Sequence, residues 1–124
     1  MSVTIVVPAD RDMTPVSDDS PILLRRITDG LDGEPYLHVT EVPAHHHIGA
    51  HSHSETEVMI VLSGTATVGD TVCPAGTLIV IPANERYAVD AGDEPLTFAV
   101  VRPRQASYEF EEQQSASASD SGGN

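Results

Sequence analysis

A chain of 124 residues, 40% of them apolar, has room for one modest hydrophobic core and a single domain. Nineteen acidic residues against six arginines and no lysine give a formal charge of −13. This sets the chain against nucleic acid or an anionic membrane surface as partner, because both are held by cationic side chains. The single cysteine, Cys73, excludes an intramolecular disulfide, and no run approaches the ~20 apolar residues of a spanning helix. The opening Met1-Ser2-Val3-Thr4-Ile5-Val6-Val7-Pro8 has neither the basic start nor the apolar length of a signal peptide, so the expected location is cytoplasmic.

Residues 1–20 read as an N-terminal arm: a β-prone run from Val3 to Val7, then polar sequence rich in Asp and Pro. Such an arm either pairs with another subunit or lies loose. From Pro21 short β-prone segments recur at Ile22–Ile27, Tyr36–Val42, His47–His53, Val58–Leu62, Thr65–Val68, Thr71–Cys73, Thr77–Ile81, Arg86–Val89 and Leu96–Val101. Turn signals separate them, among them Asp29-Gly30, Ser63-Gly64, Gly69-Asp70, Pro74-Ala75-Gly76, Pro82-Ala83-Asn84 and Ala91-Gly92-Asp93. With five aromatic residues and no Trp, the core must come from Val, Ile, Leu and Ala, and the β-branched members suit pleated strands. Many short strands at regular spacing predict an all-β sandwich or barrel over 21–110. Ala106–Gln114 reads either as a helix or as a last strand running into a tail. Residues 111–124 form that tail; from Ser115 it is Ser, Ala, Gly and Asp, too poor in apolar surface to offset its ordering entropy, and is expected to be disordered.

Five of the six histidines lie between positions 45 and 53. Side chains alternate along a strand, so His51 and His53 share a face. Glu57 follows a short turn, Ser54-Glu55-Thr56, that returns it beside them. Two imidazoles and a carboxylate with open positions left over suit a first-row divalent ion. The bland alternative for such a pair is a solvated strand face, and the run His45-His46-His47 on its own is an adventitious metal binder at most. Glu55, in the turn, is expected to be exposed, and Cys73 to be a small buried apolar residue. His38 alternates with Tyr36 and Thr40 on one face, a polar patch facing either the barrel interior or solvent.

The stretch His51-Ser52-His53-Ser54-Glu55-Thr56-Glu57, followed by an apolar run to Gly64, resembles the first motif of the cupin family: HxH, three residues, Glu, six residues, Gly. Pro43 and Gly49 stand where cupins commonly place such residues, and the likeness extends over roughly 36–103. It implies a single-domain jelly-roll β-barrel, commonly a homodimer. It also implies one divalent metal ion (Fe, Mn, Zn, Ni or Co) on His51, His53 and Glu57.

The second motif departs from the family pattern. Gly76 and Pro82 are in place, but Asn84 replaces a Gly, Tyr87 stands where the third metal-binding His would be, and Ala91 replaces an Asn. Three completions follow, in order of preference: three protein ligands with Tyr87 near the ion, His47 as a further ligand if no bulge shifts its parity, or Tyr87 as phenolate ligand. The functional expectation is a metal-dependent enzyme acting on a small organic molecule. Small cupins of this look include oxygenases, isomerases, lyases and tailoring enzymes of bacterial secondary metabolism. Tyr87 would serve as acid or base, and Arg86 beside it would hold an anionic substrate group. The alternative is a non-catalytic small-ligand-binding or sensor cupin.

Overall fold

The computed structural model describes residues 3–110. A 3-10 turn at Pro8–Asp10 precedes β1 (Thr14–Pro15), β2 (Leu23–Asp29), β3 (Tyr36–Val42), β4 (His47–His53), β5 (Glu57–Ser63), β6 (Thr65–Val68), β7 (Thr71–Pro74), β8 (Leu78–Ile81), β9 (Tyr87–Ala91), β10 (Leu96–Arg102) and β11 (Tyr108–Phe110). One sheet has the order β1-β2-β3-β10-β5-β8 and the other β11-β4-β9-β6-β7, with every pairing antiparallel. From β3 onward, apart from the β6–β7 hairpin within the second sheet, the chain passes back and forth between the sheets, which is the jelly-roll barrel expected from the sequence. Ala106–Gln114 begins as a strand, β11; residues 111–124 lie outside the described part.

The core sits between the sheets because strand alternation turns one apolar set inward from each. Val42, Met59, Val61, Leu96, Phe98 and Val100 come from the first sheet, and Ile48, Ala66, Cys73, Val89 and Ala91 from the second. This apolar packing fills one part of the barrel and leaves the part around the C-terminal end of β10 for polar side chains.

Two turns show how local chemistry fixes the path. Gly64, between β5 and β6, has φ +78°, and a Cβ there would stand 2.2 Å from the Pro95 carbonyl oxygen, so only glycine fits. Asn84 has φ +68°, the left-handed conformation that glycine would supply in the family pattern and that Asn tolerates better than other side chains. Its backbone N–H donates to the His53 carbonyl at 2.7 Å. The Gly-to-Asn departure therefore preserves the turn before β9.

The outer face of the first sheet is also apolar. Cross-strand register aligns Leu37, Val101, Val58 and Val80 in one row and Val39, Ala99, Ile60 and Leu78 in the next. Leu78 and Val80, on edge strand β8, are about two-thirds exposed. In the arm, Val3 and Ile5 are exposed as well, and β1 pairs with β2.

Candidate active site

A bulge in β4 decides which histidines enter the barrel. Ile48 pairs with Val89 and His51 with Tyr87, so three steps along β4 match two along β9. An extra residue reverses strand parity, and Ile48, His51 and His53 all turn inward. His47 is left outside, its Nδ1 2.6 Å from Asp90 Oδ1 with both side chains more than half exposed. The structure thus removes His47 from the candidate ligands. His45 is exposed and stands 3.7 Å from Asp93.

His51 is fully buried, and its Nδ1 lies 2.8 Å from the Gly49 carbonyl oxygen. A carbonyl only accepts, so Nδ1 carries a ring proton and Nε2 is the nitrogen that a metal ion could use. The His53 ring stands 5.1 Å from it, nearly perpendicular, and that of Tyr87 4.5 Å away. His53 has its pKa lowered to about 2 by burial first, then by the charges of Arg102 and His51. It is therefore neutral at any physiological pH.

Glu57 opens β5 and is almost completely buried. Its Oε1 accepts from Arg102 Nε at 2.9 Å, and its Oε2 accepts from the Tyr87 hydroxyl at 2.7 Å. Arg102 closes β10, is buried, and brings Nη2 to 3.4 Å from His53 Nε2 while its guanidinium stacks 4.8 Å from the Tyr36 ring. Each charge of this pair offsets the desolvation of the other.

Tyr36, His38 and Thr40 do face the interior, all buried. The Tyr36 hydroxyl is 2.8 Å from His38 Nδ1, and burial, with Arg102 and Arg26, lowers the His38 pKa to about 3.

Arg102 was not among the residues singled out from the sequence, although a signal existed. Leu96, Phe98, Val100 and Arg102 share parity, so an inward strand face ends in a charge that must find a partner inside. Arg86, by contrast, is exposed at the rim. There it lines, with Tyr87, Ile79, Ile81 and Val68, an open cleft of about 420 Å³ between β8 and the β6–β9 pair. Glu55 pairs with Arg104 at 2.6 Å in the turn, and Cys73 is buried in the core.

The residue types suit a divalent ion, and the Nδ1 anchoring of His51 is the tautomer a ligand through Nε2 requires. The arrangement does not suit one. Among the described residues no three His, Cys, Asp or Glu side chains converge on a common point where an ion would bind. The Arg102 guanidinium lies against both Glu57 and His53, while Tyr87 holds the other carboxylate oxygen.

No family model matches the sequence, and no curated protein matches it. Solved structures do. An RmlC-like cupin from Ralstonia eutropha JMP134 superposes with a TM-score of 0.76 at 13% identity, over 91% of this chain and 76% of that one. The polyketide cyclase RemF from Streptomyces resistomycificus gives 0.70 at 21% identity, over 90% and 87%. A chain in the complex of Rhodobacter sphaeroides SigE with the anti-sigma ChrR gives 0.66 at 14%, over 77% of this chain and 51% of that one. The barrel has the fold of a small cupin domain. No helix among the described residues is long and apolar enough to cross a membrane.

Proposed function

We propose that this cupin is an enzyme that moves protons on a small organic molecule admitted beside Tyr87. One observation carries the reading: the half-buried Tyr87 lines the open cleft and donates its hydroxyl proton to the buried Glu57 carboxylate at 2.7 Å. A phenol bridged to a carboxylate is a two-way relay. As the Tyr87 oxygen takes a proton from substrate, its own passes to Glu57 Oε2; the reverse movement returns a proton to another substrate atom. Nothing is oxidised or reduced, and the net change is an isomerisation, a ring closure or the proton-transfer half of an elimination. Arg102 keeps Glu57 charge-compensated, and Arg86 at the cleft rim receives an anionic substituent. The polyketide cyclase similarity is consistent with small-molecule ring chemistry on this scaffold.

The experiment is deuterium incorporation from D2O into a panel of small carbonyl compounds, followed by proton NMR. Exchange at a carbon next to the carbonyl is expected, with Tyr87→Phe slowing it roughly 10²–10⁴-fold, as for loss of a general acid–base group. Exchange that proceeds equally fast in the variant contradicts the reading.

A second reading has one observation in its favour: both Glu57 oxygens are engaged within the chain. In that case the barrel captures a small ligand without turnover, and the same spectra show shifted ligand lines with no exchange. With either reading we propose a homodimer, supported by the two apolar rows on the outer face of the first sheet.

A further inference from the structure

We infer that Arg102 is this barrel's built-in cation: its guanidinium spans the gap that a divalent metal would bridge, so the intact protein holds no stoichiometric metal and loss of the guanidinium creates a metal site. The inference rests on the geometry around Glu57 and is independent of the proton-transfer reading.

His53 Nε2 and Glu57 Oε1 stand 3.9 Å apart, near enough that both could be drawn onto one ion with bonds of about 2.0–2.2 Å. Arg102 reaches both of these atoms, with Nε 2.9 Å from the oxygen and Nη2 3.4 Å from the nitrogen. An entering dication would meet a fixed positive charge in a buried site, where screening by water is weakest. It would also have to take Glu57 from two donors at once.

The altered second motif belongs to the same arrangement. Tyr87 stands where the family pattern has a ligating His, and it ties down the remaining carboxylate oxygen. Without Arg102 the balance reverses. A buried carboxylate would lack its counter-charge beside two imidazoles, and that set attracts a first-row dication.

The test is elemental analysis of untagged protein after incubation with zinc and gel filtration. Wild type is expected to retain well under one equivalent and Arg102→Met about one. Arg102→Lys, which keeps the charge, is expected to stay empty. One tightly held equivalent in the wild type, lost in His51→Ala, overturns the inference, as does a folded Arg102→Met that binds none. Should Arg102→Met fail to fold, ¹⁵N-histidine NMR of the wild type during zinc titration decides. Unmoved Nε2 resonances of His51 and His53 support the built-in cation, and shifted ones refute it.

Discussion

Glu57 and Arg102 illustrate why single residues matter so much in a small barrel. Leaving one member of a buried ion pair without the other typically costs about 3–5 kcal/mol, a large share of the roughly 5–15 kcal/mol that holds a domain of this size folded. His38 shows a different sensitivity. In the unfolded chain it binds a proton near pH 6.5, whereas burial and the neighbouring Arg102 and Arg26 delay this to about pH 3 in the folded one. Between those values the unfolded state holds more protons, so stability is full above pH 6.5 and falls as pH falls, by about 1 kcal/mol per unit. His53 adds to the same trend over a window reaching down to about pH 2. Urea unfolding at pH 7.5, 6.5 and 5.5 should show the decline, and His38→Gln should make it shallower. An equal slope in that variant would show that His38 titrates normally in the fold.

At the scale of elements, alternation and turn chemistry made most strands readable. Tyr36–Val42, His47–His53 and Thr65–Val68 have the expected bounds, the first and last because Pro and Gly mark their ends. The β4 bulge was not legible. Gly49-Ala50 reads as ordinary strand sequence, and only pairing with β9 shows three residues set against two. Strict alternation on its own would have placed His47 with His51 and His53. The first motif located His51, His53 and Glu57, and the bulge with the Ser54-Glu55-Thr56 turn gathers them at one end of the barrel. What the motif could not convey is that Arg102, 45 residues after Glu57, lies against Glu57 and His53. That contact depends on β5 and β10 lying side by side, a long-range pairing that no local pattern encodes. Asn84 is the reverse case. It departs from the pattern in letter yet keeps the left-handed backbone that the turn needs.

For the whole molecule, the proposed homodimer rests on the outer face of the first sheet, where Leu78 and Val80 are exposed. In that proposal a second copy laid against β8 and β5 would cover Leu78 and Val80. Light scattering should give twice the chain mass for the wild type and the chain mass itself for Leu78→Asp/Val80→Asp, with the strand signal in circular dichroism retained. A monomeric wild type would contradict the dimer. Whether Tyr87 and Glu57 act as one proton relay, as proposed, is measured by a double-mutant cycle on the exchange rate with Tyr87→Phe, Glu57→Gln and both together. Groups acting as a unit are lost as a unit, so the double variant is expected to be no slower than the slower single one. Losses that multiply would mean that the two residues work independently, and the relay would be contradicted.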